Sequence, residues 1–187
     1  DFENLWNILD GRSYPFFGRF NVSYMIYDLE DLHNMRYDKT GDYRLANDVD
    51  ASATKEWFWN GTAYNGFDPV GDNSNPFTGS FDGNGHTING LYINLTTTTF
   101  VGLFGYISST SSVGNTTLKD VNITGKQYTG SLVGWNDGRI DDCFTRGSIT
   151  SDFQSGGISG YNRGIIENCT TSGNISAIGG VAGGIAG

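Results

Sequence analysis

A cadence of small residues recurs at a fixed interval in the C-terminal half of the chain. Residues 131–138 read SLVGWNDG and residues 157–164 read GISGYNRG, so Gly134 and Gly160 stand 26 positions apart. A period in the twenties, made of short β-type runs that Gly and Asn separate, is typical of a solenoid. Further residues match at the same offset: Asn136 with Asn162, Gly138 with Gly164, Ile140 with Ile166, Cys143 with Cys169, Gly147 with Gly173, and Ile149 with Ile175.

Less regular copies extend the repeat in both directions. VGLFGYI (101–107) begins an earlier copy, which LKDVNITG (118–125) ends after a longer middle loop. FTGSFDGNGHTINGLYI (77–93) is a more divergent copy, and the final AGGIAG (182–187) begins another. We therefore expect β-solenoid repeats over residues 77–187, which continue beyond residue 187 or pair with another subunit.

Stacked copies predict an all-β fold, a parallel β-solenoid in which neighbouring coils bury a shared core. Equivalent residues would lie about 4.8 Å apart, the spacing of paired strands. Asn136 and Asn162 would stack in a turn, with left-handed backbone and paired amides. The expected inward-facing apolar positions are Leu132, Val133, Ile140 and Ile149.

The first third of the chain lacks the repeat and predicts a cap. YDLEDLHNMRYDKTG (27–41) places Leu29, Leu32 and Met35 on one helical face, with Asp28 as the expected N-cap. A cap covers the unpaired strand edges at a solenoid end. We expect residues 27–76 to form this cap, as a short helix, a first strand and an aromatic loop, and residues 1–26 to be an arm or linker.

Sequons and charge favour an extracellular or cell-surface protein. The formal net charge of −9 disfavours a nucleic-acid partner, because phosphate contacts need basic residues. No apolar run is long enough to span a membrane. N-x-S/T triplets are glycosylation acceptors in exported proteins, and seven asparagines occupy them: Asn21, Asn60, Asn94, Asn115, Asn122, Asn168 and Asn174.

Several of these stretches together resemble the GLUG-repeat proteins. They are GDYRLANDVDAS (41–52), SFDGNGHTI (80–88), SLVGWNDGRIDDC (131–143) and GISGYNRGIIENC (157–169). The resemblance covers about residues 25–187 and implies a right-handed parallel β-helix in a secreted or surface protein. Some members are adhesins, and some carry an IgA-specific metallopeptidase elsewhere in the chain. The resemblance implies no single activity, because such repeats serve as stalk or display modules.

The zinc motif of the peptidase members, HExxH, does not occur in this chain. Its histidines are His33 in DLHNMR and His86 in GNGHTI. Neither is followed by Glu, and neither has a His partner four residues on. We therefore reject a zinc peptidase within this sequence.

Three similar triplets, LKD, IDD and IEN, suggest ladders of polar side chains on the outer surface. Two stacked carboxylates could act as acid and nucleophile on a polysaccharide, or share a calcium ion. Alternatively, they are a solvated strand end whose charges prevent lateral aggregation. The alignment predicts one column of Asp120, Asp142 and Asn168, and a second of Lys119, Asp141 and Glu167.

The segment FDGNGH has two interpretations. Asp82 and Asn84 have the alternating oxygen spacing of a calcium loop, but further ligands and a distal Glu are missing. A tight Asp-Gly/Asn-Gly turn explains the same residues. We expect no cofactor, and calcium is the alternative left open.

The two cysteines also have two interpretations. Cys143 and Cys169 share a ladder position, which brings their Cα atoms within disulfide range. Side-chain directions in adjacent parallel strands are less favourable, so buried unbonded thiols are the alternative.

An aromatic-rich segment lies between the cap helix and the repeats. Trp57 and Trp59 could stack on sugar rings, or the segment could cover the first coil.

These observations favour a non-enzymatic extracellular structural or adhesive protein. It would be glycosylated and would self-associate end to end into a surface filament or sheath, with host or cell-surface glycans as further partners. The alternative is a carbohydrate-active or carbohydrate-binding β-helix that acts on polysaccharide.

Overall fold

The computed structural model describes residues 23–187, which form a nearly all-β structure with one short α-helix near its N-terminal end. Parallel strands wind into a β-solenoid of about four coils, as the repeat predicts. Asn21 and most of the predicted arm at residues 1–26 lie outside the described residues.

The strands are short, between two and eight residues, and each coil contains several of them. In chain order they are β1 Tyr24–Ile26, β2 Asp42–Leu45, β3 Val49–Asp50, β4 Ser80–Asp82, β5 Thr87–Asn89, β6 Tyr92–Asn94, β7 Phe100–Val101, β8 Phe104–Ile107, β9 Ser112–Gly114, β10 Thr117–Thr124, β11 Tyr128–Gly130, β12 Val133–Asn136, β13 Arg139–Asp141, β14 Phe144–Ser151, β15 Gln154–Gly156, β16 Ser159–Asn162, β17 Ile165–Glu167, β18 Thr170–Ala177 and β19 Val181–Gly183.

Four parallel sheets run along the solenoid, and a full coil contributes to each in turn. Sheet 1 has the order β1-β2-β4-β9-β13-β17. Sheet 2 has the order β3-β5-β10-β14-β18, with β6 also paired to β10. Sheet 3 is β7-β11-β15-β19, and sheet 4 is β8-β12-β16.

The register agrees with the 26-residue offset in the last coils. Ile140 pairs with Ile166, Asn136 with Asn162 and Ile149 with Ile175. In β10 the register to β14 shifts between Leu118 and Val121, as a β-bulge does when it adds a residue to one strand. Positions upstream of this bulge therefore match at a different offset from positions downstream.

The core changes in character along the solenoid axis. Phe77 and Phe81 are fully buried against Phe104, with ring centroids 4.9 Å and 5.5 Å away. The later coils fill the same space with aliphatic side chains. Leu132, Val133, Ile140 and Ile149 are all buried, as the repeat predicts.

Helix α1 spans Leu29–Asn34, near the N-terminal end of the described residues. The Asp28 side chain accepts a hydrogen bond from the Asp31 backbone N–H at 3.0 Å, which satisfies one free amide of the first turn. Leu32 and Met35 are buried as predicted. The helix gives way to 3₁₀ turns at Met35–Tyr37, well before Gly41. A second 3₁₀ segment spans Ser52–Glu56.

Strand β1 precedes the helix and pairs with β2. The last residues of the expected arm or linker are therefore part of sheet 1.

Glycines of the repeated cadence lie where backbones of neighbouring coils approach closely. A Cβ atom on Gly134 would lie 2.6 Å from both the Gly105 carbonyl oxygen and the Val101 nitrogen. On Gly160 it would lie 2.2 Å from the Thr129 nitrogen. No side chain fits at these distances, which accounts for the glycine that precedes Trp135 in one coil and its counterpart in the next.

Left-handed backbone occurs at the corner between sheets 1 and 2, where Asn115, Asp142 and Asn168 have φ of 51°, 52° and 51°. The predicted left-handed conformation at Asn136 and Asn162 is wrong, because both residues end extended strands. Their predicted amide pairing is present, since Asn136 Nδ2 donates to Asn162 Oδ1 at 2.6 Å. The buried Asn136 turns the chain through its side chain, whose Oδ1 accepts from the Gly138 N–H at 2.9 Å.

Candidate functional surface

Six of the seven sequon asparagines lie within the described residues. Asn94 is half-buried, and the other five are exposed: Asn60, Asn115, Asn122, Asn168 and Asn174. An exposed position leaves room for a bulky attached sugar.

Five of these six asparagines lie on one side of the solenoid. Asn122 and Asn174 belong to sheet 2 and share a column, with Ser148 of the intervening coil between them. Asn115 and Asn168 lie at the adjoining corner to sheet 1, and Asn94 ends β6 of sheet 2. We call Asn94, Asn115, Asn122, Asn168 and Asn174 the sequon face.

A ladder of aromatic rings follows sheet 4, away from the sequon face along the coil. Tyr106, Trp135 and Tyr161 occupy one register column, with ring centroids 5.8 Å and 4.2 Å apart. Phe100 and Tyr128 of sheet 3 stack beside them at 5.5 Å. The aromatic that follows Gly134 and Gly160 was visible in the repeat, but only the coil register shows that these rings form one column.

One carboxylate ties this aromatic ladder together. Asp137 accepts hydrogen bonds from the Tyr106 hydroxyl at 2.6 Å and from Trp135 Nε1 at 2.9 Å. Burial and then the Asp137 carboxylate raise the pKa of Tyr106 to about 12. The ring faces contact each other along the column, so the ladder acts first as packing between coils.

The structure does not bring Asp120 and Asp142 together. Asp142 follows β13 at the corner, whereas Asp120 lies in the bulge of β10 between Leu118 and Val121. The triplets look equivalent in sequence, but β13 pairs with β9, so Asn115 is the counterpart of Asp142 in the preceding coil. LKD lies one strand further along the coil, in sheet 2, where Leu118 pairs with Thr145. The predicted column of Asp120, Asp142 and Asn168 therefore does not include Asp120.

The carboxylates that do stack are Asp141 and Glu167, which are register partners. Gly114, not Lys119, holds the equivalent position in the preceding coil. Arg139 Nη2 lies 2.7 Å from Glu167 Oε2, and Arg139 Nε lies 3.7 Å from Asp141 Oδ1. The positive guanidinium therefore compensates the charge of both carboxylates. Within residues 23–187 no group of three or more His, Cys, Asp and Glu is arranged to hold a metal ion.

The FDGNGH segment forms a tight turn. Asp82 Oδ1 accepts from the Asn84 backbone N–H at 2.8 Å, and Asn84 has a φ of 52°. Asp82 Oδ2 lies 3.4 Å from Arg44 Nε. These contacts engage the carboxylate that the calcium interpretation required as a ligand.

The two cysteines lie one above the other, as the offset predicts. Phe144 and Thr170 are register partners, and the Thr170 N–H donates to the Cys143 carbonyl at 2.9 Å. Both thiols are free in this structure. The neighbouring Cys169 thiol, together with burial, raises the pKa of Cys143, and the Cys143 thiol lowers the pKa of Cys169 to about 7.

The two tryptophans of the aromatic loop have different environments. Trp57 is half-buried, with its ring centroid 4.9 Å from that of His33, and covers the core. Trp59 is 59% exposed and packs against Tyr64 at 5.0 Å across a short antiparallel bridge. Phe58 between them is 51% exposed, with a φ of 57° that a bulky residue rarely adopts. Trp57 therefore covers the core, whereas Trp59 is an exposed aromatic side chain.

The chain is similar in sequence to segments of two longer proteins. It is 37% identical over 128 residues to halomucin of Haloquadratum walsbyi, a match to 67% of this chain and 1% of halomucin. It is 36% identical over 103 residues to a candidate Gly-rich membrane protein of Evansella cellulosilytica, covering 54% of this chain and 11% of that protein. The chain thus spans only a small part of these relatives. No protein-family model matches it.

A solved structure has the same fold. It is described as a candidate immunoglobulin A1 protease from Bacteroides ovatus, and it superposes with a TM-score of 0.69 at 23% identity, covering 91% of this chain and 54% of that one. At this identity the likeness concerns the fold alone. In the described residues, no helix has the length and apolarity needed to cross a lipid bilayer.

Proposed function

We propose that this chain is a non-enzymatic structural or adhesive segment of an extracellular surface protein, glycosylated along its sequon face. The observation that carries the proposal is that five of the six described sequon asparagines lie on one side of a continuous parallel stack. Side chains at register positions repeat every strand spacing, so a β-solenoid holds groups on one face in a fixed row. The chain's task is then to position surface groups outward.

Two further observations support this proposal. The relatives are named halomucin and a Gly-rich membrane protein, which agrees with a place at the cell surface. The carboxylates that stack, Asp141 and Glu167, are compensated by Arg139. Such a compensated pair is a poor acid and nucleophile, which favours the structural role over polysaccharide cleavage.

The location is tested on intact cells of the source organism. Antibodies raised against the folded chain should label unpermeabilised cells, and external protease should remove that labelling. Labelling that appears only after lysis would contradict the surface location. An antibody to a cytoplasmic protein is the matched control.

End-to-end association remains part of the proposal. The last coil exposes Ile165, Ile178 and Val181 beside the strands β17, β18 and β19, each of which has a single described neighbour in its sheet. A strand edge with apolar side chains is a template for another β-coil, and we propose that a second copy supplies it. Light scattering should show that the average mass of the wild type rises with protein concentration, and that this rise is smaller for the Ile178→Lys variant. A constant monomer mass would remove self-association.

A second candidate function is carbohydrate binding by the exposed aromatic hairpin. Phe58, Trp59 and Tyr64 present open ring surface, and the unusual backbone at Phe58 is a kind of strain found at binding sites. Trp59→Ala should abolish binding on a glycan array. Tyr37→Ala is the matched control, because Tyr37 is also an exposed aromatic but lies outside the hairpin. Equal binding by both variants would exclude the hairpin as the sugar site.

A further inference from the structure

The described sequon asparagines differ in what their side-chain amides contact. We infer that the fold selects Asn122, Asn168 and Asn174 as the N-glycan acceptors and leaves Asn60, Asn94 and Asn115 unmodified. This inference rests on the proposed function and names the sites at which it operates. It requires that sugar is transferred to the folded chain.

Asn60 is held within its own turn. Its Oδ1 accepts from the Thr62 and Ala63 backbone N–H groups, both at 3.0 Å. Its Nδ2 donates to Asn65 Oδ1 at 2.6 Å. Both ends of the amide are thus engaged, although the residue is exposed.

Asn94 and Asn115 are restrained by neighbouring segments. The Asn94 backbone N–H donates to the Asn65 carbonyl at 2.7 Å, and its Nδ2 lies 3.5 Å from the Tyr64 carbonyl. The aromatic hairpin therefore lies over this half-buried asparagine. Asn115 Nδ2 donates to Asp82 Oδ1 at 3.2 Å, across to the preceding coil. A transferase would have to break these contacts to reach either nitrogen.

Asn122, Asn168 and Asn174 have free amides. All three are exposed, and none of their side chains hydrogen-bonds another residue of the described part of the chain. Asn122 and Asn174 are separated by the coil of Ser148, which places them about two strand spacings, roughly 10 Å, apart. Sugars on these two sites would alternate along the axis with a coil that carries none in that column.

The chemistry explains why a free nitrogen matters. In N-glycosylation the amide nitrogen attacks the anomeric carbon of a phosphate-activated oligosaccharide. A nitrogen–carbon bond forms, the carbon–oxygen bond to the phosphate breaks, and the phosphate leaves as an anion. The amide proton passes to a base of the transferase. A nitrogen already donating to Asp82 or Asn65 must first lose that hydrogen bond.

The test removes the sequons without touching the asparagines. This matters because Asn115 and Asn168 have positive φ, where Gln would add strain. The chain is secreted from a host whose transferase glycosylates proteins after they have folded, and site occupancy is measured by peptide and intact-mass spectrometry. Two matched triple variants replace the Ser or Thr at the third sequon position with Ala. The first combines Thr124→Ala, Thr170→Ala and Ser176→Ala, and the second combines Thr62→Ala, Thr96→Ala and Thr117→Ala.

The first triple variant should lose all of the sugar mass that residues 23–187 carry, and the second should keep it. Sugar on Asn60, Asn94 or Asn115 at comparable occupancy would overturn the inference and leave the glycosylated surface protein intact. Absence of sugar from every described site, while a control glycoprotein in the same host is modified, would overturn the glycan part of the proposed function as well. Circular dichroism of both variants checks that the fold is retained.

Discussion

Replacing Gly134 with Ala should destabilise the solenoid, although it adds only one methyl group. The new Cβ would lie 2.6 Å from two backbone atoms of the preceding coil, the Gly105 oxygen and the Val101 nitrogen. Backbone atoms within paired sheets cannot rotate away as the end of a side chain can. Overpacking of this kind costs about 1–3 kcal/mol, so we expect a loss of about 2 kcal/mol in the free energy of unfolding.

That loss is measurable in two ways. For a chain of this size it corresponds to a melting temperature lower by about 4–8 °C. In urea it should lower the transition midpoint with little change in slope. The matched control is Gly184→Ala, where the added Cβ would have no heavy atom within 4 Å. Equal stabilities of the Gly134→Ala and Gly184→Ala variants would refute the close-approach explanation of the cadence.

Three further predictions concern the buried Asn136, the buried His33 and the cysteine pair. Asn136→Ala removes the buried side-chain acceptor of Gly138 N–H and the amide pair with Asn162, and should cost about 1–3 kcal/mol in urea unfolding. Burial and then the Arg36 charge lower the pKa of His33 from 6.5 to about 4. The unfolded chain therefore takes up the proton first. The free energy of unfolding is therefore unaffected by this histidine above pH 6.5, and it should fall by up to about 3 kcal/mol as the pH drops towards 4. The His33→Gln variant should lack this pH dependence. Oxidised glutathione should join Cys143 to Cys169, with a mass loss of two hydrogens and a gain of about 3 kcal/mol from closing the loop between coils.

For the asparagine ladder, Asn122→Ala is the control because its side chain is exposed and without a hydrogen bond, and equal losses in both variants would contradict the ladder. A slope of stability against pH that His33→Gln leaves unchanged would assign the acid sensitivity to other groups. Two thiols that remain titratable after oxidation would show that their directions in the parallel strands prevent the bond, and Cys169→Ser provides the unbonded reference.

The parallel stack and its register could be predicted from the sequence, because a solenoid repeats its contacts at the interval of its own sequence repeat. The match of Ile140 with Ile166 and of Asn136 with Asn162 follows directly from the offset of 26. The cap helix was also predictable, because Leu32 and Met35 share one helical face behind Asp28.

The polar columns were less predictable, because they depend on which strand of the coil each short triplet occupies. Ile140 pairs with Val113 and Leu118 pairs with Thr145, so IDD ends a strand of sheet 1 while LKD lies in sheet 2. The three triplets are too short and too similar for residue type alone to show this difference. Left-handed backbone was expected at Asn136 and occurs at the next corner, at Asp142 and Asn168. Asn is suited both to a left-handed corner and to a side-chain amide ladder, so residue type alone could not assign the role.

The sequence by itself determined the coil, its period and the sequons, since these depend on residue identity at a fixed spacing. Only the tertiary structure decided which sequon amides are free and which are engaged. Asn115 meets Asp82 and Asn94 meets Tyr64 through contacts that join residues about thirty positions apart. Such contacts depend on how one coil is placed over another, a distance of a few ångströms in space that no local pattern along the chain encodes.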